Sequence, residues 1–288
     1  MNGKKAQWDL KLGLFGAALT LIGDLLIGAA KFPEGTNMIE GYFAIALAIP
    51  AWRPILGGLI GFVGICLEFP GLMTLSPLIK ERMPRGGSFY KLSMYVYLAV
   101  GGGAVHLPCG VFMWIYKSVA EGAGTEIGHD IALSYLLYFL LPAAAVFGVF
   151  FIDASTVQFI AFIMGRTPFP KWYCVFNLLI GKAVFNSVRQ FGNTALINGI
   201  ATSNMSLSAI VMFTALLIGW KKYVSEERES CASAFSQRSQ AAGRRRLQDP
   251  LHQSELSKLE EPEQMPDRQK DGCDHHSRKP WISILAIK

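Results

Sequence analysis

The sequence predicts an all-α fold, a polytopic transmembrane helical bundle of about six spans with a disordered C-terminal tail. Three observations carry this expectation. Hydrophobic residues make up 51% of the chain and charged residues only 17%, whereas soluble domains carry about a quarter. The apolar residues gather into runs of roughly 18 residues or more, the length that crosses a hydrocarbon core of about 30 Å as helix. Basic residues stand at the ends of those runs, where they set orientation. The formal charge of +6 therefore belongs to membrane topology, and nucleic acid is not an expected partner.

The first span is placed at Leu12–Ala30. Lys4 and Lys5 precede it as they would a secretory signal, but the run is long for that purpose and Asp24 interrupts it, so it reads as a retained helix. The further spans are Arg53–Leu75, Leu92–Tyr116, Ile131–Phe151, Trp172–Phe191 and Met205–Trp220. Gly41–Pro50 is apolar but too short to cross, which suits an interfacial or re-entrant piece. Ala154–Met164 continues apolar after the fourth span and either lengthens it or lies along the surface. Residues 1–222 thus form the bundle and 223–288 a disordered cytosolic tail, in which Ser, Gln, Glu and Arg replace large apolar residues.

Spacing assigns the packed faces. Gly57, Gly61, Gly64 and Glu68 fall on one face of the second helix, and Gly13, Gly16, Thr20, Asp24 and Gly28 on one face of the first. Small residues in such a stripe let a neighbouring backbone approach closely, while Val63 points to lipid. In the third helix Ala99, Gly102, Gly103, His106 and Gly110 repeat the pattern, and Pro108 removes a backbone hydrogen bond, which predicts a kink. Asn204, Ser208, Ala215 and Gly219 give a weaker version in the sixth helix.

The fifth helix differs. Lys182, Asn186, Arg189 and Asn193 recur at helical spacing as a polar stripe. Lys182 and Arg189 would cost roughly 5–7 kcal/mol at mid-membrane, against roughly 3–5 kcal/mol returned by the apolar residues of that helix. Arg189 can snorkel toward a surface; Lys182 needs a partner or water. At comparable depth Asp24 is the first choice and Glu68 the reserve. Asp24, Glu68, His106, Lys182, Asn186 and Arg189 therefore form the candidate intramembrane binding cluster. Structural pairing of Asp24 and Glu68 competes with a functional role, and His106 also fits as a packing residue.

Other chemistry is not supported. The five cysteines form no CxxC pair, so neither a disulfide framework nor a zinc site is expected. A metal site from Asp24, Glu68 and His106 would lack a fourth ligand. There is no nucleotide-binding GxxxxGK[ST] loop, no HExxH and no GxSxG, and no cofactor is expected.

Leu21-Ile22-Gly23-Asp24, the glycine-rich start of the second helix, His106, Pro170-Lys171-Trp172 and Asn204-Met205-Ser206 together resemble the motifs of a group of uncharacterised multi-span membrane proteins common in bacteria. The resemblance covers residues 10–220 and implies a six-helix integral membrane protein without an established activity. Three classes of function fit: a small-solute or proton-coupled transporter or binder, a membrane enzyme acting on a lipid or sterol, and a non-catalytic subunit or scaffold. The expected partners are the bilayer and a small solute or lipid.

With six spans, Lys4, Lys5, Lys11, Lys80, Arg82, Arg85, Lys91, Arg166, Lys171, Lys221, Lys222 and Arg228 share one side, and the other carries Lys31, Lys117 and mostly acids: Glu34, Glu40, Glu121, Glu126 and Asp130. The positive-inside rule then places both termini in the cytosol. Tags at the N-terminus should be shielded in intact cells, and a tag in the loop at residues 122–128 should be accessible; the reverse pattern would overturn this orientation.

Overall fold

The computed structural model describes residues 3–225, and among them every regular element is helical. The predicted disordered tail lies outside the described residues, except for residues 223–225, which continue the last helix. In chain order the elements are α1 (Gly3–Gly28), α2 (Met38–Ala48), α3 (Trp52–Met73), α4 (Leu75–Arg82) and α5 (Pro84–Val96). A π-helical segment, Tyr97–His106, leads into α6 (Leu107–Ala123). Then come α7 (Thr125–Tyr135), a second π segment (Leu136–Leu140) and α8 (Leu141–Ile163). Two 3-10 turns, Lys171–Phe176 and Val188–Phe191, flank α9 (Leu178–Ser187), and α10 (Ala195–Thr202) is followed by α11 (Asn204–Ser225).

Among the described residues, five helical stretches are long and apolar enough to cross a membrane: Gly3–Gly28, Trp52–Arg82, Pro84–Ala123, Thr125–Ile163 and Asn204–Ser225. The fifth predicted span, Trp172–Phe191, is not such a helix. It is split into 3-10, α and 3-10 pieces. The reason is local. Asn177 takes an extended backbone and caps α9, its Oδ1 accepting from Leu179 N, and Gly192 ends the segment at φ 137°. The segment still traverses the bundle. Tyr173 packs on Phe169, which meets Trp220, and Trp220 donates to Gly3 O. At the other end Asn193 binds the backbone of Phe32 through both N–H and C=O. The chain therefore passes from the Gly3 end of α1 to its Phe32 end between residues 173 and 193, and the start of α1 lies beside the end of α11.

That arrangement also satisfies the carbonyls left open at the end of α1. Arg53 donates to Leu25 O and Ala29 O, Asn198 to Ala30 O, and Asn193 to Phe32 O. The predicted interfacial piece is α2, a short helix on the same end of the bundle, whose Phe43 packs on Phe112, Tyr116 and His129. Residues 154–163 lengthen α8 rather than lie apart.

α1 and α3 run antiparallel in close contact, and their glycines are why. A Cβ on Gly16 would lie 2.5 Å from Gly64 O, and one on Gly23 2.5 Å from Gly57 O. All the small residues predicted for these two faces are buried, whereas Val63 is 50% exposed. Outward-facing Phe15, Leu59, Leu137, Val149, Ile152 and Ile218 supply the apolar coat a hydrocarbon solvent requires.

The third predicted face is corrected. Ala99 is exposed, and Tyr97, Gly101 and Gly102 are the buried residues of the π segment. Leu107 N bonds to Gly102 O, five residues back, and so does Leu141 N to Leu136 O. Both π segments end at a Leu-Pro pair, Leu107-Pro108 and Leu141-Pro142. Proline lacks an N–H and its ring crowds the carbonyl four residues back, and a wider turn relieves that crowding. The expected kink at Pro108 thus takes the form of a widened helix, and the wider turn shifts the inward face off the 3.6-residue period.

Gly64→Ala should cost about 1–3 kcal/mol through overpacking, because its Cβ would meet the Thr20 backbone nitrogen at 2.5 Å. Val63→Ala should be tolerated to within about 0.5 kcal/mol. Thermal unfolding in detergent measures both; equal losses would show that α1 and α3 do not meet at Gly64.

Candidate functional site: a polar-ended cavity in the bundle

Close packing of α1 on α3 forces the acids of both helices inward. Asp24 is 9% exposed and Glu68 1%. Buried carboxyl groups need hydrogen-bonding partners. Glu68 is fully supplied: Thr20 Oγ1 donates to Oε1 at 2.6 Å and Tyr97 Oη to Oε2 at 2.8 Å. Ser206 Oγ donates to Asp24 Oδ2 at 2.7 Å, and His106 Nδ1 stands 3.6 Å from Asp24 Oδ1. The other ring nitrogen of His106, Nε2, is buried over Gly61 without a hydrogen-bond partner. Ser206, His106 and Asp24 do not form a nucleophilic triad, because the serine faces the carboxylate and not the imidazole.

Lys182 meets neither acid. Its Nζ donates to Asn204 Oδ1 at 3.2 Å, so the expected direct pair with Asp24 or Glu68 is replaced by a bond to a neutral amide. α9 ends at Ser187, and a 3-10 turn carries the chain on to Arg189. Asn186 is exposed and lies outside the bundle interior. Arg189 is half-buried, with its guanidinium 5.9 Å from the centre of the Phe32 ring and its Nε lacking a hydrogen-bond partner. Asn193 serves the end of α1. Of the six residues in the sequence-derived cluster, the structure brings Asp24, His106 and Lys182 to one cavity, sets Glu68 beside it through Thr20 and Tyr97, and leaves Asn186 and Arg189 outside its lining.

The cavity measures about 360 Å³. One end is polar, with Asp24, His106, Lys182, Asn204, Ser206 and Thr202; the walls are Ile65, Phe112, Met113, Leu140 and Phe147. Both π segments contribute, through Tyr97, Gly101, Val105 and His106 and through Leu136 and Leu140. Met38 and Ile39 of α2 form a rim and are exposed. Toward the Gly3 end the bundle is solid: Leu10, Leu72, Met94, Met212 and Phe213 are all fully buried.

Residues that the sequence-derived cluster lacked are Thr20, Tyr97, Asn204 and Ser206. Thr20 already shared the Asp24 face, and Asn204 and Ser206 stood in a motif; Tyr97 continues the buried face of Tyr90, Ser93 and Met94 at ordinary helical spacing. Among the described residues no three His, Cys, Asp or Glu side chains converge as a metal site would require. Cys66, Cys109 and Cys174 are free thiols.

The fold and its apolar coat define a multi-helix integral membrane protein. More narrowly, the chain belongs to a family of unknown function, DUF6796, whose profile matches residues 1–223. No curated protein and no solved structure matches it.

Asp24 and Ser206 act as one hydrogen-bonded unit, whereas Asp24 and Lys182 do not touch. A double-mutant cycle of Asp24→Asn with Ser206→Ala should show coupling of about 0.5 kcal/mol or more, and exceed that of Asp24→Asn with Lys182→Met. Stronger coupling to Lys182 would restore the direct pair.

Proposed function

We propose that this protein binds a small amphiphilic molecule inside its bundle, as a membrane-embedded carrier or binding protein. One observation carries the reading: a cavity of about 360 Å³ with mostly apolar walls, whose lining also gathers Asp24, His106, Lys182, Asn204 and Ser206. Ligand sites are typically concave, mostly apolar and fitted with a few convergent polar groups, in volumes of about 300–1,000 Å³. Ionisable groups at membrane depth are costly, and a binding or conducting role is the usual reason they are retained. A scaffold would favour a filled interior, since an unfilled core forfeits dispersion contacts.

The packed half of the bundle bears on transport. A solute entering past Met38 and Ile39 meets Phe213, which fills the space beside Gly13 and Gly71. Through-passage would require that packing to open, so the reading favours an occluded or one-sided binding state. An enzyme acting on a lipid is the second reading. It is supported by Asp24 facing His106 within the same cavity, an arrangement suited to acid–base work.

The test is photolabelling of the purified full-length chain with decanol carrying a terminal diazirine. Labels should map to residues 97–113 and 136–147, and Cys109→Trp, which fills the cavity while the melting transition is monitored, should remove most of them. Labels confined to outward residues such as Val149 and Ile152, unchanged by that substitution, would overturn the proposal.

A further inference from the structure

Lys182 lines the cavity, and no carboxylate among the described residues pairs with it. We infer that the cavity recognises an anionic, single-chain amphiphile, a hydrocarbon tail bearing a carboxylate or phosphate monoester, with Lys182 as the group that holds its head. This rests on the reading of the cavity as an amphiphile site and adds the chemistry of the head group.

The inference follows from counting partners. An ammonium has three N–H donors. Lys182 uses one, on Asn204 Oδ1 at 3.2 Å. Asn204 is itself fixed by its Nδ2 donating to Ala201 O, so its amide oxygen is presented to Lys182 and the orientation is set. The two carboxyls of the bundle interior are committed elsewhere: Glu68 to Thr20 and Tyr97, Asp24 to Ser206 and His106. Among the described residues no carboxylate lies within salt-bridge distance of Lys182. A lysine at membrane depth that binds only a neutral amide retains most of its desolvation cost. A bound anion would remove that cost, and a charge-assisted hydrogen bond in such a setting is about twice as strong as a neutral one.

Geometry supplies the tail. The lining that Lys182 and Asn204 share with Phe112, Met113, Leu140 and Phe147 also includes Met38 and Ile39, which are exposed. A volume of about 360 Å³ lies in the size range of small-molecule sites and has room for a single alkyl chain. Asp24 does not argue for a cationic ligand, because one of its oxygens accepts from Ser206 and the other faces His106.

The experiment is competition against the decanol photolabel on the full-length protein, using unlabelled decanoate, decyl phosphate, decanol and decylamine. Decanoate or decyl phosphate should displace the label at concentrations at least tenfold lower than decanol or decylamine; which of the two anions is stronger separates a carboxylate from a phosphate head. Lys182→Met should erase the anion preference while decanol still competes, and Lys182→Arg should keep it. Equal potency of decanoate and decanol on the unmodified chain would overturn the role of Lys182 and leave amphiphile binding standing. Preference for decylamine would overturn it in favour of Asp24. Failure of every compound to reduce cavity labelling would overturn both readings. The series on the unmodified chain decides the matter even if Lys182→Met does not fold.

Discussion

The antiparallel contact of α1 with α3 is the constraint on which the rest of the structure depends. Glycine faces glycine there, so the two backbones approach until Gly16 meets Gly64 O and Gly23 meets Gly57 O. In a hydrocarbon solvent no hydrophobic effect drives helices together, and close van der Waals contact must do so instead. The same approach carries Asp24 and Glu68 into the interior, because each lies on its helix's small-residue face. Once inside, each acid must be answered, and Thr20, Tyr97, Ser206 and His106 answer them. The polar centre is thus a consequence of how two apolar helices pack.

A second constraint opens the space beside that centre. Pro108 and Pro142 each follow a leucine at the start of a helical stretch, and each is preceded by a widened turn. The two π segments form part of the wall of one cavity. Along the first of them Gly101 and Gly102 turn inward while Ala99 stays exposed. Close packing on one side and widening on the other leave a cavity with a polar floor and apolar walls. The broken segment from residue 171 to 193 completes it by delivering Lys182 at the level of Asn204.

Much of this was legible in the sequence, and the part that was not has identifiable causes. Apolar runs located the five long helices, and glycine spacing located the buried faces of α1 and α3, since both signals rest on a regular 3.6-residue period. The same period misplaced the inward face of the third helix, where ten residues adopt π geometry, and it aligned Lys182, Asn186, Arg189 and Asn193 on a helix that in fact breaks after Ser187. The Asn177 cap and the Gly192 turn bound the broken segment. Pairing Lys182 with an acid followed from charge alone; the choice of Asn204 depends on which helices meet, which spacing along one helix does not encode. Asp24, His106 and Lys182, which the sequence reading set inside the bundle, line the same cavity.

The central claim is that the space between α1, α6, α8 and α11 is a binding site for a chain-like ligand. It is tested most directly by an experimental structure of the protein with a fatty acid brominated at the end of its chain. Bromine anomalous density should appear among Phe112, Met113 and Phe147, with the head group beside Lys182. Bromine density found only on the lipid-facing surface, with the cavity closed by repacked side chains, would contradict the account.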